Sequence, residues 1–291
     1  MLSRVAEQMY WLGRYVERAE NTARLVNVST GMTLDLPREA PPLWQVLMRI
    51  LGIEASPGGE ERQVVRLLLA DETNPSSVLA SLARARENAR TSREILPSEA
   101  WEWINNAYWR TRDEATRSIA RNPRQEFLQR TIAECQLFAG VLAGTMSHNA
   151  AYRFVEIGRH LERADMTTRV LDLGAATDGW MGVLFALSAY QMYHQHIGGV
   201  VQGPEVVRFL LLNPDFPRTV GHCLNSMAAL LQCLPRHEDP LRAVRDLQAP
   251  LAGIDIDSVL RAGLDRILDE MQAGLSEIHY RIEACWFSAA G

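Results

Sequence analysis

The chain has 291 residues, 47% of them hydrophobic and 22% charged, with a formal net charge of -5. That length and apolar content suffice for one large core or two ordinary ones, and they exclude a disordered or collagen-like chain. The mild acidity gives no electrostatic basis for binding nucleic acid, and all 30 basic residues are arginine.

The opening "MLSRVAEQMYW" puts charges where a secretory leader needs an apolar run, so a cytoplasmic chain is expected. Trp11, Leu12, Tyr15, Val16, Ala19, Ala23 and Val26 recur at steps of three and four, which predicts a first helix with one apolar stripe. Pro37, Pro41 and Pro42 bracket a loop, "LWQVLMRIL" follows as a short helix, and "SPGGEE" at 56–61 is a turn before another. "NPSSVLASLARARENARTSREIL" reads as a helix capped by Asn74 or Ser76 and ending before Pro97. Further helices are predicted over 99–120, 123–147, 148–173, 179–197, 204–212, 216–234 and 256–287. No segment alternates as a strand does, so the class is all-α.

Several stretches in these helices need an explanation. "WEWINNAYWR" at 101–110 carries three tryptophans and a tyrosine, expected to pack in the core; the alternative is an aromatic face that binds a partner. "WMGVLFALSAYQMY" at 180–193 is too short to span a membrane and reads as a core helix. Cys135, Cys223, Cys233 and Cys285 form no Cys-x-x-Cys pair and are expected to be buried thiols in a reducing compartment. The histidines, "HQH" at 194–196 included, lack the spacing of a metal-binding helix pair, so no metal and no cofactor is expected. There is no phosphate-binding glycine loop and no nucleophile elbow.

One pattern occurs twice. Gly13, Arg14, Glu17, Arg18, Ala19, Thr22 and Arg24 match Gly158, Arg159, Glu162, Arg163, Ala164, Thr167 and Arg169 at an offset of 145. "RLLLADETNP" at 66–75 and "RFLLLNP" at 208–214 also correspond, and "AECQLFAG" at 133–140 resembles "EACWFSAAG" at 283–291. The chain is read as one domain over 1–291, a multi-helix bundle of two duplicated halves, about 1–146 and 147–291, with pseudo-twofold symmetry.

On a helix, Arg14, Glu17, Arg18 and Asn21 form one polar ridge, and Arg159, Glu162, Arg163 and Met166 form its counterpart. A glutamate between guanidinium groups is held ionised, which suits ion pairing better than proton transfer. Three readings follow. The ridges face each other, with Arg18 paired to Glu162 and Arg163 to Glu17, as a clamp that fixes register. Or they line a cleft whose arginines bind an anionic ligand, either the carboxylates of an acidic peptide or a phosphate. Or they are solvated helix faces, which the recurrence argues against.

"MLSRVAEQMYWLGRYVERAENTARLV", "SSVLASLARARENARTSREILPSEAWEWIN", "AYRFVEIGRHLERADMTTRVLD" and "FLLLNPDFPRTVGHCL" together resemble the bacterial alpha-E domain family over essentially the full chain. The resemblance implies an all-helical domain whose Glu-Arg motifs are Glu17-Arg18 and Glu162-Arg163. It also implies partners, since such domains are encoded beside or fused to an ATP-grasp-type amide ligase and a transglutaminase-like peptidase. The function this favours is a non-catalytic accessory protein of the ligase that holds an anionic peptide or amino acid on Arg14, Glu17, Arg18, Asn21, Arg159, Glu162 and Arg163. The alternatives are an enzyme, a transferase or hydrolase with Glu17 or Glu162 as base, and a purely structural subunit.

Overall fold

The computed structural model describes residues 3–32, 43–53 and 60–287, and every regular element among them is a helix. They are α1 (Ser3–Met32), α2 (Leu43–Ile50), α3 (Glu61–Leu69), α4 (Val78–Thr91), α5 (Ser98–Glu114), α6 (Arg121–Thr145), α7 (Ala150–Thr177), α8 (Trp180–Ala186), α9 (Tyr190–His196), α10 (Gly203–Leu212), α11 (Val220–Gln232), α12 (Glu238–Gln248), α13 (Ile256–Ala262) and α14 (Leu264–Trp286), with short 3-10 turns at Arg117–Ile119 and Ala249–Gly253. The proline loop of 37–42 and the turn at 56–59 lie outside the described residues. The chain divides into two compact units, Gln8–Arg159 and Met1–Glu7 with His160–Gly291.

In the unit Gln8–Arg159, α1 and α4 run antiparallel. Gln8 Nε2 donates to Thr91 Oγ1 at 2.9 Å, Arg84 lies over the Tyr15 ring, and Thr22 Oγ1 donates to the Ser76 carbonyl at 3.0 Å. The turn before α4 is built from side chains. Asn74 Oδ1 accepts from the Ser76 amide at 3.0 Å, and Ser77 Oγ accepts from the Ala80 amide at 3.0 Å. The cap is therefore Ser77, neither Asn74 nor Ser76, because the Asx turn of Asn74 delays the first helical residue to Val78.

The predicted helix 99–120 ends at Glu114, and the chain makes a 3-10 turn before α6. Arg124 of α6, 2% exposed, is wedged there. It donates to Glu61 Oε1 at 2.7 Å, to Thr30 Oγ1 at 3.2 Å and to the Ile119 carbonyl at 2.5 Å. Glu61 also bonds Arg121, and that bond holds its carboxyl below the usual range with help from Arg124, against the effect of burial.

α1 meets the first part of α7 at two glycines. A Cβ on Gly13 would collide with the Val155 carbonyl oxygen, and a Cβ on Gly158 with the Tyr10 carbonyl oxygen. Both collisions are with backbone, which cannot swing aside as a side chain can. Only glycine permits this approach.

In the unit Met1–Glu7 with His160–Gly291, α7 packs on the turn before α11. Thr167 Oγ1 donates to the Arg218 carbonyl at 2.8 Å, and Arg163 Nη1 to the Pro217 carbonyl at 3.4 Å. Asn213 Oδ1 accepts from the Asp215 and Phe216 amides, and Thr219 caps α11 by accepting from the His222 amide at 3.1 Å.

Three expectations are corrected in this unit. The helix predicted over 179–197 breaks into α8 and α9 at Ser188, whose φ is 52°. The helix predicted over 256–287 breaks into α13 and α14 at Gly263, with φ 104°. The stretch 238–248, assigned to no element, forms α12, which buries Pro240, Leu241, Val244 and Leu247. Its first-turn acids Glu238 and Asp239 and its leucine-valine spacing carried a helix signal. α12 packs on α14 closely enough that a Cβ on Gly274 would meet the Leu247 side chain.

The aromatic stretch of α5 and the cysteines also depart from expectation. α5 buries Ala100, Ile104, Ala107 and Thr111 instead, leaving Trp109 42% exposed. Cys135 and Cys223 are buried, Cys285 is intermediate, and Cys233 is exposed because it follows the last turn of α11.

Two outcomes follow. Gly158→Ala should lower unfolding stability by about 2 kcal/mol or more through backbone overpacking, whereas Gly140→Ala, whose new Cβ meets nothing within 4 Å beyond its own stretch of helix, should raise it by about 0.5–1 kcal/mol. Denaturant titration of both variants measures the contrast. Asp172, which accepts from Gln272 Nε2 at 3.1 Å, has its carboxyl raised above its ordinary value by burial and then by Asp265 and Asp269. A carboxyl that holds its proton more tightly folded than unfolded weakens the fold once ionised. Asp172→Asn should therefore be more stable than the parent at pH 7, with the gain shrinking as pH falls through the raised value.

Candidate functional site

The ridge of α1 has an open side and a closed side. Arg14 and Arg18 are partly exposed and lie on aromatic faces. Arg14 sits 5.1 Å from the Trp11 centroid and 5.8 Å from that of Tyr10, and Arg18 sits 5.7 Å from that of Tyr15. Trp11 and Tyr15 stack at 5.2 Å, one turn apart, and Arg84 of α4 covers Tyr15 at 5.8 Å. The i, i+4 spacing that sets a charged ridge on a helix also sets this aromatic one beside it.

Glu17 and Asn21 form the closed side, Glu17 being 1% exposed. Within the unit Gln8–Arg159, Arg159 approaches Glu17, Nε to Oε2 at 3.8 Å, while Arg159 Nη1 bonds Glu156 at 2.6 Å. One turn on, buried Glu20 accepts from Arg24 Nε at 2.9 Å and Nη2 at 2.8 Å. Cys135 of α6 lies within electrostatic reach of both carboxylates. Burial, then Glu20 and Glu17, push its thiol well above its ordinary value. The thiol is thus kept neutral and unreactive. The Glu20–Arg24 pair was legible as an i, i+4 spacing, but the approach of Cys135 from α6 has no sequence signal.

Glu162 and Arg163, on the part of α7 that belongs to the other unit, are 3% and 8% exposed. Arg163 reaches the turn before α11, and His160 lies 5.9 Å from His222. Met166 is buried. Of the predicted residues, Arg14, Arg18 and Arg159 are partly exposed, whereas Glu17, Asn21, Glu162 and Arg163 are buried.

A carboxylate as closed as Glu17 is placed to orient a cation, since a general base must reach the proton it takes. Among the described residues, no group of three or more His, Cys, Asp or Glu is arranged to hold a metal ion. No described helix is long and apolar enough to cross a membrane.

Over residues 1–287 the chain matches the model of Alpha-E, a predicted alpha-helical domain with a conserved ER motif. It is also similar to an uncharacterised protein of Mycobacterium bovis and to two uncharacterised proteins of Mycobacterium tuberculosis. Each is 23% identical to it over 315 aligned positions, which cover 94% of this chain and 35% of the relative. The chain thus spans about a third of the length of these relatives. No solved structure matches it. The family match takes in both arginine ridges, and the chain belongs to the Alpha-E family.

Proposed function

We propose that this chain is a non-catalytic accessory module that holds an anionic peptide or amino acid and works beside an ATP-grasp-type amide ligase in the cytoplasm. The observation that carries the ligand half is the placement of Arg14 and Arg18 on the Trp11 and Tyr15 rings at the partly exposed side of α1. A ring beneath a guanidinium favours the cation there, and the planar N–H fork of arginine suits carboxylate recognition. Glu17 and Asn21 would support the ridge from the buried side, and Arg159 would join Arg14 and Arg18 at the ligand. No cofactor is needed for this role. The ligase half, and a transglutaminase-like peptidase as a further partner, rest on the family setting. A segment that matches about a third of longer relatives fits a module acting beside other domains.

A structural reading is favoured for the second ridge. Glu162 and Arg163 are buried, and Arg163 is turned to the Pro217 carbonyl. They would fix α7 to the turn before α11 rather than touch a ligand.

We further infer that the chain arose by duplication. Gly13 with Val155 and Gly158 with Tyr10 are one contact exchanged by the offset of 145. Thr22 bonded to the Ser76 carbonyl corresponds to Thr167 bonded to the Arg218 carbonyl, each beside an Asn-Pro turn and a Ser or Thr cap.

Co-purification with an ATP-grasp ligase encoded in the same neighbourhood, with ADP release assayed on glutamate and glutamyl peptides, tests the proposal. A stable complex with stimulated turnover is expected, and a folded Arg18→Ala variant should lose the stimulation at least ten-fold. No complex and no effect on turnover would overturn the accessory role. Full stimulation by Arg18→Ala would remove the ridge from it.

A further inference from the structure

α4 and α5 form an antiparallel hairpin whose outer side carries alternating rings and guanidinium groups. On α5, Trp101, Asn105, Tyr108, Trp109 and Arg112 recur at helical steps, away from the buried Ala100, Ile104, Ala107 and Thr111. Arg86 of α4 lies over Trp101, Tyr108 and Trp109 at 5.7, 5.2 and 5.3 Å, and its Nε donates to Asn105 Oδ1 at 2.8 Å. Arg93 covers Trp101 at 5.2 Å and Arg112 covers Trp109 at 5.1 Å. The row runs Arg93, Trp101, Arg86, Trp109, Arg112.

Two properties separate this row from the rest of the hairpin. Trp109 stands 42% exposed, with Arg93 and Arg112 exposed beside it. Arg86, Arg93 and Arg112 also have no carboxylate within 4.0 Å among the described residues. Elsewhere on the same hairpin Arg90 bonds Glu87 at 2.6 Å and Arg110 pairs with Glu134. The row thus gathers three cations on rings, whereas Arg90 and Arg110 are matched to acids.

We propose that this face docks an acidic segment of a partner protein, whose carboxylates bind Arg93, Arg86 and Arg112 while its backbone and apolar side chains cover Trp101 and Trp109. Charge complementarity selects the occupant, because three guanidinium groups held over rings with no carboxylate of the described residues within 4.0 Å suit a segment that brings its own. Trp, Tyr and Arg are also the side chains on which protein interfaces concentrate their binding energy. Trp101 and Trp109 are roughly 12 Å apart at the helical rise, about the length of four extended residues. Single-stranded nucleic acid could stack on the same rings, but its affinity comes from many phosphates, and a chain of net charge -5 repels a long polyanion more than a short peptide.

The test uses the full chain and three fluorescein-labelled probes: an eight-residue peptide alternating Glu and Ala, the same peptide with Gln for Glu, and an eight-residue thymidine oligonucleotide. Fluorescence anisotropy should show the Glu peptide binding at least ten-fold tighter than the Gln peptide, weakening as salt is raised. Arg86→Gln/Arg112→Gln should lower that affinity at least ten-fold with an unchanged circular dichroism spectrum. Arg266→Gln, an exposed arginine of α14, should bind as the parent does. Absence of Glu-peptide binding, equal binding by the double variant, or preference for the oligonucleotide would each overturn the proposal. Loss on Arg18→Gln alone would assign the peptide to the ridge and overturn it as well.

Discussion

The approach of α1 to α7 at Gly13 and Gly158 is the constraint on which the arrangement around the ridge depends. Each glycine faces a carbonyl oxygen of the other helix, so the axes come closer there than any side chain would allow. Arg159 follows Gly158 directly, and the close crossing brings its guanidinium to Glu17, one turn beyond Gly13. Buried carboxylates need such partners, since an ionised group withdrawn from water without one is strongly unfavourable. The glycines and the charged residues after them therefore work together: the former set the distance, and the latter use it.

Much of this was legible because helix periodicity reports faces directly. The ridge residues, the apolar stripe of α1 and the all-helical class follow from steps of three and four. What sequence could not supply was any choice that depends on a neighbouring element. The aromatic residues of α5 read as core by composition, yet Ala100, Ile104, Ala107 and Thr111 take the inner face, because α5 is turned with that stripe toward α4 and α6. Ser188 looked like an ordinary helical residue, and nothing in its type signals the positive φ that ends α8. Cys135 lies in an apolar helix, and its approach to two buried glutamates appears only once α6 is laid beside α1.

Arginine as the sole basic side chain gives the molecule a limited set of cation environments. Some guanidinium groups are sealed with carboxylates, as at Arg24 with Glu20. Others form i, i+4 surface pairs such as Arg281 with Glu277, which stabilise little. A third group lies over aromatic rings on α1, α4 and α5. A lysine ammonium could form the surface pairs, but it lacks the flat face that stacks and the fork that bonds Glu20 through two nitrogens.

Arg124 has a consequence for how the unit Gln8–Arg159 comes apart. Its side chain joins four segments at once: Thr30 near the end of α1, Glu61 at the start of α3, Ile119 in the 3-10 turn, and its own α6. Loosening any one of them would strand a buried cation without its partners. These termini, which would ordinarily fray independently, are thereby coupled. Their amide protons should exchange with solvent through one shared opening event, making this corner a single cooperative block within the helical fold.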